Sequence, residues 1–164
     1  MKKRTKFYIA YGSNLNVNQM AWRCPGAEVA GIATLKDWRL LFKGSKTGSY
    51  LTIEHCPGAE VPVGIWKITE ADERSLDRYE GYPHFYYKLM LPVTMDNILT
   101  AEQKEIEALV YVMHEERPLG IPTMDYLRTC GRGYLDFGFD TDPLEAALRY
   151  SEVMIAKASG KEVI

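Results

Sequence analysis

The chain lacks most of what marks membrane, secreted or metal-holding proteins. Among its 164 residues no apolar run approaches the roughly 18 that a membrane span needs. The basic start Lys2-Lys3-Arg4, a solvated leader, feeds no signal-peptide core, because Tyr11-Gly12-Ser13-Asn14 interrupts the apolar stretch behind it. A cytoplasmic protein with no membrane partner is expected. The cysteines Cys24, Cys56 and Cys130 are few and odd in number, without CxxC spacing, which fits free thiols in a reducing compartment. His55-Cys56 lacks the spacing of zinc-ligand pairs, so no metal is expected. No cysteine carries a recognisable pattern of partners for nucleophilic work. A formal net charge of −2 offers no surplus of cations to neutralise phosphates, and no nucleic-acid partner is expected. Gly44, Lys46, Thr47 and Gly48 stand without the full phosphate-loop pattern. Repeats and interdomain linkers are missing too, so residues 1–164 read as a single domain.

What is present is an ordinary soluble composition, 46% hydrophobic and 26% charged. Apolar alternation predicts strands over Phe7–Tyr11, Val29–Lys43, Tyr50–Glu54, Val61–Ile68, Phe85–Thr94 and Ile106–His114. Gly44–Ser49 reads as a flexible loop, His55-Cys56-Pro57-Gly58 as a turn, and Asn97–Glu105 as a hairpin end. Helices are predicted over Asn16–Arg23, from Glu70 to a stop at Gly81 and Pro83, over Thr123–Leu135, and from Asp142-Pro143 onward. Thr69 and Asp72 have capping-box spacing, with Leu76 and Tyr79 as the inward pair of the helix they open. The last predicted strand is apolar on both faces, which suits a barrel wall. Strands followed by helices give an α+β fold: a small mixed β-barrel of about six or seven strands with flanking helices.

Two stretches carry chemistry. Tyr11-Gly12-Ser13-Asn14-Leu15-Asn16 joins the first strand to the first helix. Gly12 frees the backbone, and Ser13 and Asn14 are helix-capping types. The stretch is thus a turn and a cap, or also a small anion site made of N–H groups converging on a carboxylate or an oxyanion. The second stretch is Leu76-Asp77-Arg78-Tyr79-Glu80-Gly81-Tyr82-Pro83-His84-Phe85-Tyr86. Glu80 ends a helix, where the macrodipole disfavours an anion, and aromatic neighbours would raise its pKa toward the range of a general acid/base. Its bland alternative is an exposed helix end held by Lys88 or an arginine.

Tyr-Gly-Ser-Asn-Leu near the start resembles the opening motif of the gamma-glutamylcyclotransferase superfamily. Leu-Asp-x-x-Glu-Gly-x-Pro-x-x-Tyr resembles its second motif, with Gly81, Pro83 and Tyr86 in matching places and Lys88 where relatives often carry Arg. Pro122, Tyr126, Gly133 and Gly138 resemble, more loosely, a later helix and its glycines. The similarity spans about residues 7 to 140. It implies a gamma-glutamylcyclotransferase-like fold and an intramolecular acyl transfer, of acyltransferase or amidine-lyase-like type. In it the α-amine of a γ-glutamyl group attacks its own γ-carbonyl, 5-oxoproline forms and an amine or amino acid leaves, without cofactor, metal or covalent intermediate. It implies Glu80 as the catalytic acid/base, with Tyr11, Gly12, Ser13, Asn14, Leu15, Tyr86 and Tyr126 around a small-molecule γ-glutamyl substrate. The spacing Glu-Gly-x-Pro-x-x-Tyr leans toward the branch acting on γ-glutamylamines. The rival reading is a non-catalytic binding module for a small anionic metabolite on the same fold. A monomer or small homo-oligomer is expected.

Overall fold

The computed structural model describes residues 4–45 and 48–160. Its strands are β1 (Thr5–Ala10), β2 (Glu28–Ser45), β3 (Gly48–Thr69), β4 (Tyr86–Asn97) and β5 (Gln103–Met113), closed into a barrel in the order β1-β3-β2-β4-β5. The helices are α1 (Val17–Arg23), α2 (Glu70–Glu80), α3 (Met124–Asp136) and α4 (Asp142–Ala158), with a 3₁₀ turn at Ser13–Leu15 ahead of α1. This is the expected α+β barrel with flanking helices, but with five strands instead of six or seven.

The miscount has one cause. Tyr50–Glu54 and Val61–Ile68 are parts of a single long strand, β3, paired with β2 from Ser45↔Gly48 to Glu28↔Lys67. Pro57 and Gly58 mark a bulge and not a chain reversal. The register shifts between Lys36 and Trp38, Asp37 takes a left-handed φ of 68°, and its Oδ1 accepts from Gly58 N at 2.9 Å. Aspartate tolerates that conformation better than most side chains, and bulges bend long strands as barrel closure requires. The expected loop at Gly44–Ser49 is also shorter, since Gly44↔Ser49 and Ser45↔Gly48 are in the ladder. Lys46 and Thr47, half of the phosphate-loop resemblance, lie outside the described residues, as do Lys2 and Lys3 of the basic leader.

The core forms where the alternation predicts it. Val110 and Val112 on one face of β5 and Leu109, Tyr111 and Met113 on the other are all buried, as befits a barrel strand covered on both faces. Thr69 and Asp72 form the capping box reciprocally, and Gly81 closes α2 in the left-handed region at φ 64°. Leu76 is fully buried, worth about 2 kcal/mol of apolar transfer. Tyr79, expected inward beside it, is 45% exposed, because its ring faces a cavity beyond the barrel wall. The last helix is capped at Thr141, one residue before the expected Asp142, and it buries Leu144, Ala147 and Ser151.

Candidate active site

The turn after β1 and the end of α2 meet across one cavity of 440 Å³. Its walls include Tyr11, Gly12, Ser13 and Asn14 from the turn, Glu80 from α2, Tyr86 from β4 and Tyr126 from α3. Seven of the eight sequence-derived site residues are therefore brought together. Leu15 is the eighth: it is fully buried beneath the turn, with Cδ2 close to the Gly64 backbone, and forms no part of the wall.

The turn is held from three sides. Leu15 N donates to Gly12 O and Asn16 N to Ser13 O, each at 3.0 Å, which shapes the 3₁₀ turn. Gly12, Ser13 and Asn14 precede those donors, so their N–H groups have no partner within the turn itself. Three neighbouring N–H groups in one turn beside a cavity suit an anion. The Trp66 indole donates to Asn14 O at 2.9 Å, and Tyr134 donates its hydroxyl to Tyr11 O at 3.0 Å. A Cβ at Gly12 would stand 3.3 Å from Leu51 Cδ1, tight enough to need a small shift of that side chain, and 3.5 Å from the Tyr126 hydroxyl, an ordinary contact.

Each tyrosine does two jobs. Tyr11 donates to Tyr111 O at 2.6 Å, Tyr86 donates to Leu51 O at 2.8 Å, and Tyr126 accepts from Leu51 N at 3.0 Å. The hydroxyls are satisfied by backbone and the rings form wall. Burial holds all three well above the ordinary phenol range, so they stay neutral.

Glu80 is the wall's acid. Desolvation raises its carboxyl to about 7, against a weaker opposing pull from Arg23. Its Oε1 accepts from Asn14 Nδ2 at 3.3 Å, which ties the two motifs together. Lys88 does not hold it. That ammonium pairs with Glu73 at 2.8 Å and Asp77 at 2.7 Å, and Asp77 also accepts from the Tyr111 hydroxyl at 2.6 Å. Asp77 is thus half-buried and tied to Lys88 and Tyr111. The cysteines are remote in character: Cys24 and Cys130 are buried, with thiols pushed up to about 12. His55 stacks on Trp38 with centroids 4.1 Å apart.

The wall also holds residues that the sequence reading did not assign to the site. Tyr8 accepts from Asn14 Nδ2 at 2.8 Å, and Tyr79 shares a 3.2 Å hydrogen bond with Ser13 Oγ. Tyr50 and Tyr126 meet edge to face, centroids 5.1 Å apart. The exposed Arg78 brings a cation to the same wall. Their common signal was weak: Tyr79 and Arg78 flank Glu80 in sequence, and Tyr8 lies on the strand before the turn. An apolar enclosure with a few convergent polar groups and one perturbed acid is the usual build of a small-molecule site.

Comparison with known proteins finds relatives over most of the chain. Residues 8–128 match the family described as gamma-glutamyl cyclotransferase, AIG2-like. A gamma-glutamylcyclotransferase of Bos taurus is 32% identical over 163 residues, covering 94% of this chain and 81% of the relative. That of Homo sapiens is 34% identical over 147 residues, covering 84% and 73%. A solved gamma-glutamyl cyclotransferase structure superposes with a TM-score of 0.74 at 30% identity, covering 93% of this chain and 88% of that one.

Proposed function

The chain belongs to the gamma-glutamyl cyclotransferase, AIG2-like family, and from that premise we propose that it converts a γ-glutamyl amide to 5-oxoproline, releasing an amine or amino acid, with Glu80 as general acid and base. The observation that carries the reading is a carboxyl with its pKa raised to about 7 on the wall of an aromatic-lined cavity, in contact with Asn14 of the turn. A module that only binds anions gains nothing from such a group, since the acid repels its ligand when ionised.

The reaction asks for little beyond proton traffic and shape. The attacking nitrogen passes from ammonium to lactam N–H, and the departing nitrogen from amide N–H to ammonium. Two protons move between them with none gained or lost overall. Glu80 as carboxylate accepts the proton that must leave before attack. As carboxylic acid it returns the proton that must arrive before the old C–N bond breaks. Near neutrality both forms are populated, as a group serving both steps needs. The wall tyrosines fold the γ-glutamyl chain so that amine and carbonyl meet within one molecule. The N–H groups at the start of the turn, those of Gly12, Ser13 and Asn14, hold the substrate α-carboxylate or the oxyanion. Arg78 on the wall favours a leaving group that carries its own carboxylate, contrary to the lean toward γ-glutamylamines that the motif spacing suggests.

The test is 5-oxoproline release from γ-glutamyl-alanine, γ-glutamyl-ε-lysine and glutathione by wild type and by Glu80→Gln. Release from at least one substrate is expected, falling by about 10² or more in the variant. Turnover near wild type in Glu80→Gln would remove Glu80 from the mechanism, and ligand binding without release would favour the binding module.

A further inference from the structure

Arg23 lies outside both motifs, yet it reaches into the site from the end of α1. Its Nη1 donates to Asn14 Oδ1, its Nη2 donates to Gln19 Oε1 at 3.1 Å, and its guanidinium stacks over the Tyr79 ring, 3.3 Å from the centroid.

This arrangement decides which way Asn14 faces. Guanidinium has donors only, so the amide oxygen of Asn14 belongs with Arg23 and the amide nitrogen is turned to Tyr8 Oη and Glu80 Oε1. The reverse flip would set the amide oxygen against a carboxylate and the NH₂ against a cation. Arg23 also decides the local charge. The titratable groups facing Glu80 are Tyr8 from β1, Tyr11 just behind it, Cys24 and Arg23 from the end of α1, and Tyr86 from β4. Burial keeps the three phenols and the thiol protonated. Among these groups Arg23 alone carries charge at neutrality. Arg78 borders the same cavity from the solvent side, where water screens it.

We propose that Arg23 is a positioning residue of the acid/base cycle: it locks the Asn14 amide so that its NH₂ holds the Glu80 carboxylate, and it supplies the charge against which that carboxylate forms. The inference rests on the acid/base role given to Glu80 above. Its consequence is a division of labour. The aromatic wall makes the neutral acid stable, and Arg23 with Asn14 keeps the anion within reach.

Arg23→Met keeps an apolar stem over Tyr79 while removing the charge and the donors, and Arg23→Lys keeps the charge without the planar fork. Two readouts are needed: the pH profile of kcat/KM for 5-oxoproline release, and a carboxyl ¹³C NMR titration of glutamate-labelled protein in which Glu80→Gln identifies the resonance. In Arg23→Met the Glu80 midpoint and the acid limb of kcat/KM should both move to higher pH. The turnover number at pH 7 should fall by about tenfold, one unit's worth of rate, with KM changing less. In Arg23→Lys the midpoint should stay near wild type while turnover still falls. An unmoved NMR midpoint in folded Arg23→Met, or an activity loss uniform in pH, would overturn the proposal. So would full activity in Arg23→Lys, which serves alone if the methionine variant does not fold. Should wild type release no 5-oxoproline, the acid/base role of Glu80 fails and the proposal with it, while the NMR midpoint still shows whether Arg23 governs that carboxyl.

Discussion

Glu80 sits where two influences oppose its charge, the negative end of α2 and a desolvating aromatic wall, and Arg23 offsets them only in part. The protein therefore gives up stability to keep it. In the folded state the carboxyl binds its proton until about pH 7, whereas the ordinary value is 4.5. Between those values the folded chain holds more proton than the unfolded one, so stability falls as pH rises through the window and stays low above it. The gap corresponds to a ceiling of about 3 kcal/mol. Glu80→Gln should accordingly be more stable than wild type at pH 8, by up to that amount, and no more stable at pH 4. Urea denaturation at the two pH values measures this, and equal stability at pH 8 would mean that the folded protein does not perturb the carboxyl. Glu80 stood out in the sequence through the joint resemblance of the two motifs, since taken alone an acid at a helix end reads as an exposed residue held by Lys88 or an arginine. Arg23 did not, because an arginine in the last turn of a helix is the ordinary complement of the macrodipole. Only the return of the chain through α2 gives it Tyr79 as a partner.

Among the elements, α3 is what presses the turn into shape. Gly133 lets the helix lie directly on the chain at Leu15 and Asn16: a Cβ there would stand 2.5 Å from Asn16 N and 2.8 Å from Leu15 Cβ. The contact is sealed by Asn16 Nδ2 donating to Thr129 O at 3.1 Å and Val17 N donating to Asp136 Oδ2 at 3.1 Å. Backbone cannot yield as a flexible side chain can, so Gly133→Ala should push α3 outward and carry Tyr126 and the turn with it. A loss of about 1–3 kcal/mol in thermal or urea unfolding is expected, with a raised KM for the γ-glutamyl substrate. Unchanged KM in a destabilised variant would separate the turn's shape from its support by α3. The turn and the capping box of α2 were legible because local chemistry determines them. The continuity of β3 was not, because Pro57-Gly58 has the same composition in a bulge as in a turn, and only the pairing with β2 decides between them.

As a whole, the barrel is two sheets joined at two short seams. β1, β3 and β2 form one antiparallel sheet, and β4 with β5 forms a hairpin paired over eleven positions. The sheets meet at β1–β5 through Phe7↔Ala108 and Tyr8↔Leu109, and at β2–β4 through Gly31↔Asn97 and Ile32↔Asp96. The cavity with Glu80 lies at the first seam, where Tyr11 donating to Tyr111 O adds a side-chain tie. The second seam closes only because Gly31 has no side chain: a Cβ there would overlap the Asp96 carbonyl and stand 2.8 Å from Met95 Cγ. Gly31→Val should therefore open the seam away from the site. Hydrogen exchange at Ile98, whose N–H donates across the seam to Ala30 O at 3.1 Å, should speed up and the melting temperature should fall, while kcat/KM at 25 °C stays within about threefold of wild type, a change of under 1 kcal/mol. The converse result, lost turnover with an unmoved melting temperature, would mean that the two seams are coupled and that the hairpin moves as a body against the sheet that carries the turn.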